Sequence, residues 1–121
     1  MDAGSTPRRV LGDLGEEIAE RFLALRGMTI LARKLRIAQK EIDLLARDGD
    51  CLVFVEVRLR RGDRYGSALA SLGPRKQQHL RAALREAVIR RGWRGAYRLD
   101  LITLDLDRGG ERLLLEHYRG L

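Results

Sequence analysis

The stretch EIDLLARDGDCLVFVEVRLR, residues 41–60, contains two strand-like runs that meet at Asp48-Gly49. An Asp-Gly dipeptide between apolar runs is a strong signal for a two-residue hairpin loop. We therefore expect the two runs to pair as antiparallel strands, with Arg47 opposite Asp50. This hairpin determines which acidic side chains of the stretch lie near each other.

Acidic residues occupy positions of this hairpin where a core strand would carry apolar side chains. In the predicted register Asp43 faces Phe54, and Glu41 faces Glu56. Side chains alternate between the two faces of a strand, so the charged residues near the hairpin's open end should share one face of the sheet. These residues are Glu41, Asp43, Glu56 and Arg58.

Three carboxylates on one face predict a cation site. Directly opposed like charges destabilise a hairpin, and the diagonal from Asp43 to Glu56 would span about 7 to 8 Å. Mg²⁺ accepts one or two carboxylates together with waters and phosphate oxygens, so it is the simplest cation for this position. The alternative is an ordinary exposed face on which Glu56 pairs with Arg58 or Arg60.

Hydrophobic periodicity predicts two helices and five strands in the order α-β-β-β-α-β-β. Apolar residues recur at helical spacing over 8–26, before Gly27, and again over 75–91. This order predicts an α/β domain with a mixed sheet flanked by helices over residues 10–121, after a flexible N-terminus at 1–9. The predicted strands are TILARKLRI (29–37), KEIDLLAR (40–47), CLVFVEV (51–57), YRLDLITLDL (97–106) and RLLLEHY (112–118).

The chain is strongly basic. Its 121 residues include 24 Lys and Arg against 17 Asp and Glu, which gives a formal net charge of +7. Arginine suits bidentate phosphate contacts, so the composition favours a polyanion partner, with solvated basic faces as the alternative. We expect the basic, glycine-containing loop after the hairpin to contact nucleic acid, with an aromatic ring to stack on a base. The predicted contacts are Arg60, Arg61, Arg64, Tyr65, Arg75 and Lys76.

Several classes of protein are disfavoured by composition. The single cysteine, Cys51, excludes a disulfide framework and a cysteine-based zinc site. No apolar run approaches the roughly 18 residues of a membrane span, and residues 1–9 lack the apolar core of a signal peptide. We therefore expect a cytoplasmic protein with no membrane partner. An RNA-binding protein would fit the charge, but the strands of this sequence lack the aromatic platform on which such proteins stack bases. A homodimer is also possible.

Five ordered segments resemble the YraN family of uncharacterised bacterial proteins. They are GDLGEEIAERFLALRGMTILARKLR, EIDLLARDGD, LVFVEVRLR, RKQQHL and YRLDLI, and they cover nearly the whole chain. The chain is also similar to the wider restriction-endonuclease-like superfamily, particularly the archaeal Holliday-junction resolvases. The resemblance implies a restriction-endonuclease-like domain and a nuclease that acts on DNA with Mg²⁺ or Mn²⁺.

The resemblance also implies roles for individual residues. Glu16 of GEE would be an acid on the first helix, and Asp43 of EID and Glu56 of EVR would be metal ligands. Gln77 of KQQ would be an accessory group, and helical spacing also turns Gln77 toward the sheet. Arg58 would stabilise the charge of the phosphate.

Two positions depart from the family pattern. Arg58 replaces the lysine of an E-x-K pair, and an arginine, which stays protonated, cannot accept a proton from an attacking water. Lys40 replaces a glycine, and strand alternation puts it on the sheet face opposite Glu41 and Arg58. Two functions therefore stay open: a metal-dependent DNA nuclease, and a non-catalytic DNA-binding or partner-binding module.

Overall fold

The structure is a computed structural model that describes residues 7–62 and 72–121, with the backbone alone for 7–10. It contains two helices and five strands in these regions. A flexible N-terminus was expected at 1–9. Residues 1–6 lie outside the described residues, and residues 7–9 belong to the first helix, which begins at Pro7. The elements are α1 (Pro7–Leu25), β1 (Thr29–Ile37), β2 (Lys40–Asp48), β3 (Cys51–Arg61), α2 (Pro74–Arg90), β4 (Tyr97–Leu106) and β5 (Leu113–Tyr118).

The strands form one mixed sheet in the order β1-β2-β3-β4-β5. β3 and β4 are parallel, whereas the other neighbouring pairs are antiparallel. A parallel pair needs a long crossover connection, and α2 lies within that connection. The predicted α/β class and order of elements are confirmed. Neither helix is long and apolar enough to cross a lipid bilayer.

The helices pack on opposite faces of the sheet. Ala19 and Leu23 of α1 belong to a buried cluster with alternate residues of β2 and β3, including Val55. Leu84 of α2 belongs to a second buried cluster that includes Phe54, the neighbour of Val55 in β3. Because consecutive strand residues point to opposite faces, these clusters define an α1 side and an α2 side of the sheet.

The turn between β2 and β3 differs from the expectation by one position. Asp48 pairs with Cys51, so the two loop residues are Gly49 and Asp50, and the predicted pairing of Arg47 with Asp50 is wrong. Gly49 has φ +60. Glycine at the first loop position provides the positive φ of a type II′ hairpin, whereas the predicted loop would place an aspartate there.

The side-chain alternation of β1 and β2 breaks at one pair of opposed positions. The pairs Arg33↔Leu44 and Leu35↔Ile42 flank Lys34 and Asp43, which therefore lie opposite each other. Lys34 has φ 49, which is rare for a residue with a side chain. Ile42 packs on the α2 side and Leu44 on the α1 side, although residues two apart in a regular strand share a face.

The third strand is longer than its apolar run. It continues through Arg61, which pairs with Leu106 of β4, so Arg60 and Arg61 lie in a strand and not in the predicted loop. Arg60 Nε donates to Asp105 Oδ1 at 2.7 Å across this strand pair. The parallel ladder with β4 and this ion pair extend β3 beyond the point where hydrophobic alternation ends.

Candidate functional site

Asp43 and Glu56 meet where β2 and β3 separate. The ladder between these strands ends at Leu44↔Val55, and the next residues along it are Asp43 and Glu56. The backbone N–H of Val57 donates to Asp43 Oδ2 at 2.7 Å. The Glu56 carboxylate in turn accepts a hydrogen bond from the backbone of Asp43. The two carboxylates thus accept hydrogen bonds from backbone N–H groups that the ladder no longer pairs. These bonds hold the carboxylates side by side.

The electrostatics of this pair are unfavourable in the absence of a cation. Burial, followed by the charge of Asp43, raises the pKa of Glu56 to about 7, and 13% of the Glu56 side chain is exposed. Burial also raises the pKa of Asp43, while the N–H of Val57 and the charge of Arg58 oppose that rise. Two partly buried carboxylates therefore resist being ionised together.

Glu16 approaches the pair from α1. Gly15 allows this approach, because an added Cβ would lie 3.3 Å from a Leu104 methyl of the sheet. Burial, followed by the charge of Asp43, raises the pKa of Glu16. The structure thus brings Glu16, Asp43 and Glu56 into one electrostatic group, as the family resemblance implies.

Lys34 is a member of the site that the sequence did not indicate. Its Nζ lies 3.3 Å from Glu16 Oε1 and 3.2 Å from Asp13 Oδ1, and its charge opposes the rise that burial causes in the pKa of Asp43. The left-handed backbone at Lys34 and the break in alternation place this side chain near α1. No motif in the sequence signals a positive φ at a lysine, so only the folded chain shows it.

Arg58 lies beside Glu56. One terminal nitrogen of its guanidinium is 3.6 Å from Glu56 Oε2. The Nε atom of Arg58 is buried and has no hydrogen-bond partner in the structure. Most buried polar atoms are paired, so this unpaired donor marks a position that a ligand or a side-chain rotation could satisfy.

Gln77 is not directed at the acids. Its Nε2 donates to the carbonyl of Leu72 at 2.8 Å. The expectation that Gln77 faces inward and needs a polar partner is therefore met, but by backbone just before α2. Since Leu72 lines a cavity beside the acids, Gln77 supports the wall of the site and does not line it.

The cavity on the α2 side of the acids has a volume of about 280 Å³. Lys40 lines it together with Glu41, Glu56 and Arg58, so the expectation that Lys40 lies on the face opposite Arg58 is wrong. The break in alternation at Asp43 explains this correction. Ile42 and, two residues earlier, Lys40 are moved to the α2 side of the sheet.

The predicted nucleic-acid contacts are distributed over several elements. Arg60 bonds Asp105, Arg61 is exposed at the end of β3, and Arg75 is exposed on the first turn of α2. Lys76 lines the cavity beside Glu56. Arg64 and Tyr65 lie outside the described residues.

The chemistry of the acid pair fits a hard divalent cation. Within residues 7–62 and 72–121, no cluster of three or more His, Cys, Asp or Glu side chains is arranged to hold a metal ion. Mg²⁺ nevertheless needs only one or two carboxylates when water and phosphate oxygens complete its shell. A cation between Asp43 and Glu56 would offset the burial and the repulsion that raise the pKa of Glu56, and both residues supply oxygen ligands.

Comparisons with known proteins identify a family. Residues 15–104 match the family model described as "Uncharacterised protein family UPF0102". The chain is 42% identical over 112 residues to a UPF0102 protein of Pelotomaculum thermopropionicum, covering 92% of this chain and 93% of that protein. It is 40% identical over 116 residues to a UPF0102 protein of Streptomyces griseus, covering 94% and 97%.

A UPF0102 protein of Roseiflexus castenholzii gives a similar result, with 42% identity over 120 residues and 93% of each chain covered. The family model covers the chain from within α1 to within β4. These matches confirm the resemblance carried by the five ordered segments. The chain belongs to the uncharacterised protein family UPF0102, also called the YraN family.

Proposed function

We propose that this protein binds DNA and hydrolyses its phosphodiester bonds with Mg²⁺ or Mn²⁺, acting on branched or processed DNA. The observation that carries the proposal is the pair Asp43 and Glu56, held side by side at the end of the β2–β3 ladder. Charge repulsion alone would separate them, yet each carboxylate is held by a backbone N–H of the other strand. Such an arrangement is suited to hold a cation.

In this proposal Asp43 and Glu56 hold the metal ion. When bound, a divalent cation polarises the phosphoryl group, lowers the pKa of a water and stabilises the leaving oxygen. Glu16 and Lys34 form an ion pair at 3.3 Å beside Asp43, and this pair keeps the Asp43 carboxylate in place from the α1 side. Gln77 supports the wall of the cavity through Leu72.

Arg58 has a separate role in the proposal. Its guanidinium stabilises the negative charge of the phosphate, because it always carries charge and presents several donors in one plane. Arginine does not accept a proton at neutral pH, so the proton of the attacking water leaves to solvent or to Glu16. Burial raises the pKa of Glu16, which makes this carboxylate a better proton acceptor than an exposed glutamate.

A second candidate function is a non-catalytic DNA-binding or partner-binding module. Two observations favour it: Arg58 is 3.6 Å from Glu56, and no third metal ligand joins the pair among the described residues. A guanidinium that neutralises Glu56 competes with a cation for the same carboxylate. The acid cluster would then persist without turnover.

A cleavage panel tests the two candidates. Wild type and Asp43→Asn are incubated with Mn²⁺ and branched, flapped, single-stranded and duplex DNA, with Lys34→Gln as a variant of the same region that leaves the ligand pair intact. The nuclease proposal expects products from wild type, none from Asp43→Asn and a reduced rate from Lys34→Gln. Binding without cleavage of any substrate by wild type supports the second candidate.

A further inference from the structure

The two sides of the acid pair differ in their charges. On the α1 side, acids line a groove with cations that are already in ion pairs: Lys34 with Asp13 and Glu16, and Arg33 with Glu20. A phosphate that approached from this side would meet carboxylates, and the cations beside them are already paired with those carboxylates. Coulomb repulsion therefore disfavours the α1 side as an entrance for a polyanion.

On the α2 side, three cations from three elements meet Glu41 and Glu56 at one cavity, so its lining has one more basic than acidic side chain. Lys40 comes from the start of β2, Arg58 from β3 and Lys76 from α2. In the part of the chain that the structure describes, Lys40 and Lys76 have no ion-pair partner. Arg58 has a buried Nε without a hydrogen-bond partner, although its terminal nitrogen lies near Glu56. The cavity thus has donors that the protein itself does not satisfy.

We propose that this cavity is a phosphate subsite, in which Lys40 and Lys76 hold a backbone phosphate of a nucleic-acid strand that enters from the α2 side. The inference rests on the proposed DNA binding and adds a direction of approach and a second phosphate contact beside the acid pair. Lysine binds phosphate as a point charge and needs no fixed geometry, which suits two exposed side chains at the rim of a cavity.

The size of the cavity agrees with this occupant. Its volume of about 280 Å³ is at the lower limit of the range for small-molecule sites, which begins at about 300 Å³. One phosphate with part of its sugar fits such a space, whereas a base pair does not. Buried Leu72 and Leu80 form the apolar part of the wall.

The test measures binding of a fluorescent twelve-residue oligothymidylate by anisotropy in EDTA. The variant is Lys40→Gln with Lys76→Gln, and the control is Arg94→Gln with Arg112→Gln, which removes the same charge at exposed positions outside the cavity. We expect the lysine variant to bind about tenfold more weakly. Its slope of log affinity against log salt should flatten by about 0.7, because the two lysines neutralise one phosphate and each single-strand phosphate contributes about 0.7. Equal thermal melts verify that both variants fold.

A competition experiment separates a site from diffuse attraction. At equal ionic strength, inorganic phosphate should displace the oligonucleotide from wild type and from the arginine control more strongly than chloride does. With the lysine variant, inorganic phosphate should displace the oligonucleotide no more strongly than chloride does. Equal losses in the lysine variant and the control, or no advantage of phosphate on wild type, would overturn the subsite.

Failure of the subsite and failure of the proposed function can be distinguished. If wild type binds no oligonucleotide, calorimetry with inorganic phosphate alone is performed on wild type and the lysine variant. If only wild type binds phosphate, the cavity is an anion site, but the phosphate that it holds does not belong to a nucleic-acid strand. No phosphate binding by either protein would reject both.

Discussion

At the scale of single residues, Glu56 carries most of the electrostatic cost of the site. Burial and the adjacent Asp43 raise the pKa of its carboxyl to about 7 from an ordinary value of 4.5. The folded protein thus keeps a proton on Glu56 over a pH range in which the unfolded chain has released it. This difference connects the acid pair to both the stability and the metal affinity of the protein.

The first prediction concerns stability without metal. Between about pH 4.5 and pH 7 the folded state binds more protons than the unfolded state, so the free energy of unfolding falls as pH rises through this window. Thermal unfolding in EDTA from pH 5 to pH 8 should show a loss of up to about 3 kcal/mol in wild type. Glu56→Gln should remove most of that loss, whereas the exposed Glu111→Gln should retain it.

The second prediction concerns metal binding. Wild type should bind Mg²⁺ or Mn²⁺, and the bound ion should raise the unfolding temperature by mass action. Affinity should increase as pH rises through about 7, because the metal competes with the proton of Glu56. Titration calorimetry at pH 6 and pH 8 measures both effects. Equal metal binding by the double variant Asp43→Asn, Glu56→Gln would reject the site.

The third prediction concerns Arg58. If arginine weakens an otherwise intact nuclease, Arg58→Lys should increase metal-dependent cleavage by up to about tenfold, since an ammonium is smaller and can be deprotonated in a suitable site. Initial rates on the best substrate of the cleavage panel provide the measurement. Arg61→Lys, at the exposed end of the same strand, is the matched control. Unchanged turnover with intact folding and metal binding would favour the binding module.

At the scale of elements, a buried ionic cluster joins β4 to β5, with Asp100 in register with Val55, the residue before Glu56. Asp100 of β4 is completely buried and accepts hydrogen bonds from Arg98 at 3.0 Å and from the backbone of Gly120 at 3.0 Å. His117 of β5 lies 2.8 Å away through its Nε2. Burial would raise the pKa of Asp100, but the bonds from His117 and Arg98 outweigh it and hold the pKa below its ordinary value.

The fourth prediction follows from this cluster. Asp100→Ala removes the closest partner of partly buried Arg98 and the partner of nearly buried His117. Loss of one member of a buried ion pair costs about 3 to 5 kcal/mol. Chemical denaturation should show that decrease in the free energy of unfolding. Because Asp100 bonds Arg98, His117 and the backbone of Gly120 and neither acid of the pair, metal affinity of the folded variant should stay within about twofold of wild type. Glu86→Ala, which removes an exposed pair with Arg90, should cost less than about 1 kcal/mol.

At the scale of the whole molecule, the excess positive charge is unevenly distributed. The first helix carries Asp13, Glu16, Glu17 and Glu20, whereas the second carries mainly arginine and lysine. Since the acid pair lies between the helices, a polyanion is attracted to one side of the site and repelled from the other. The net charge of +7 therefore describes two surfaces of different character.

The fifth prediction concerns DNA binding as a property of that charge distribution. Duplex DNA should bind in EDTA, and contact with about four phosphates would give a slope of log affinity against log salt near −4. Replacing Arg61 and Arg75 by glutamine should flatten the slope by up to about two units. Asp43→Asn should bind equally or slightly more tightly, because it removes a negative charge near the phosphates. Anisotropy over a salt series would reject these contacts if the slope of the arginine variant did not change.

Local signals in the sequence determined the order of elements, whereas the family resemblance supplied the membership of the acid group. Hydrophobic spacing predicts a helix from the chain's own periodicity, and glycine and Asp-Gly mark where an element ends, so these signals need no distant contact. The resemblance assigned Glu16, Asp43 and Glu56 to one site, and the structure brings their charges together. The hairpin register was wrong by one loop position, which moved Glu56 next to Asp43 instead of diagonal to it.

Tertiary structure alone decided the faces on which the charged side chains lie. Alternation in β2 stops at Asp43, because its carboxylate bonds the N–H of Val57 and because Lys34 opposite it has a positive φ. That break moves Lys40 into the cavity beside Glu56. The length of β3 likewise depends on its pairing with β4, which is distant in the sequence. A strand's own residues set its period, but the partners of its backbone and charges set where that period breaks.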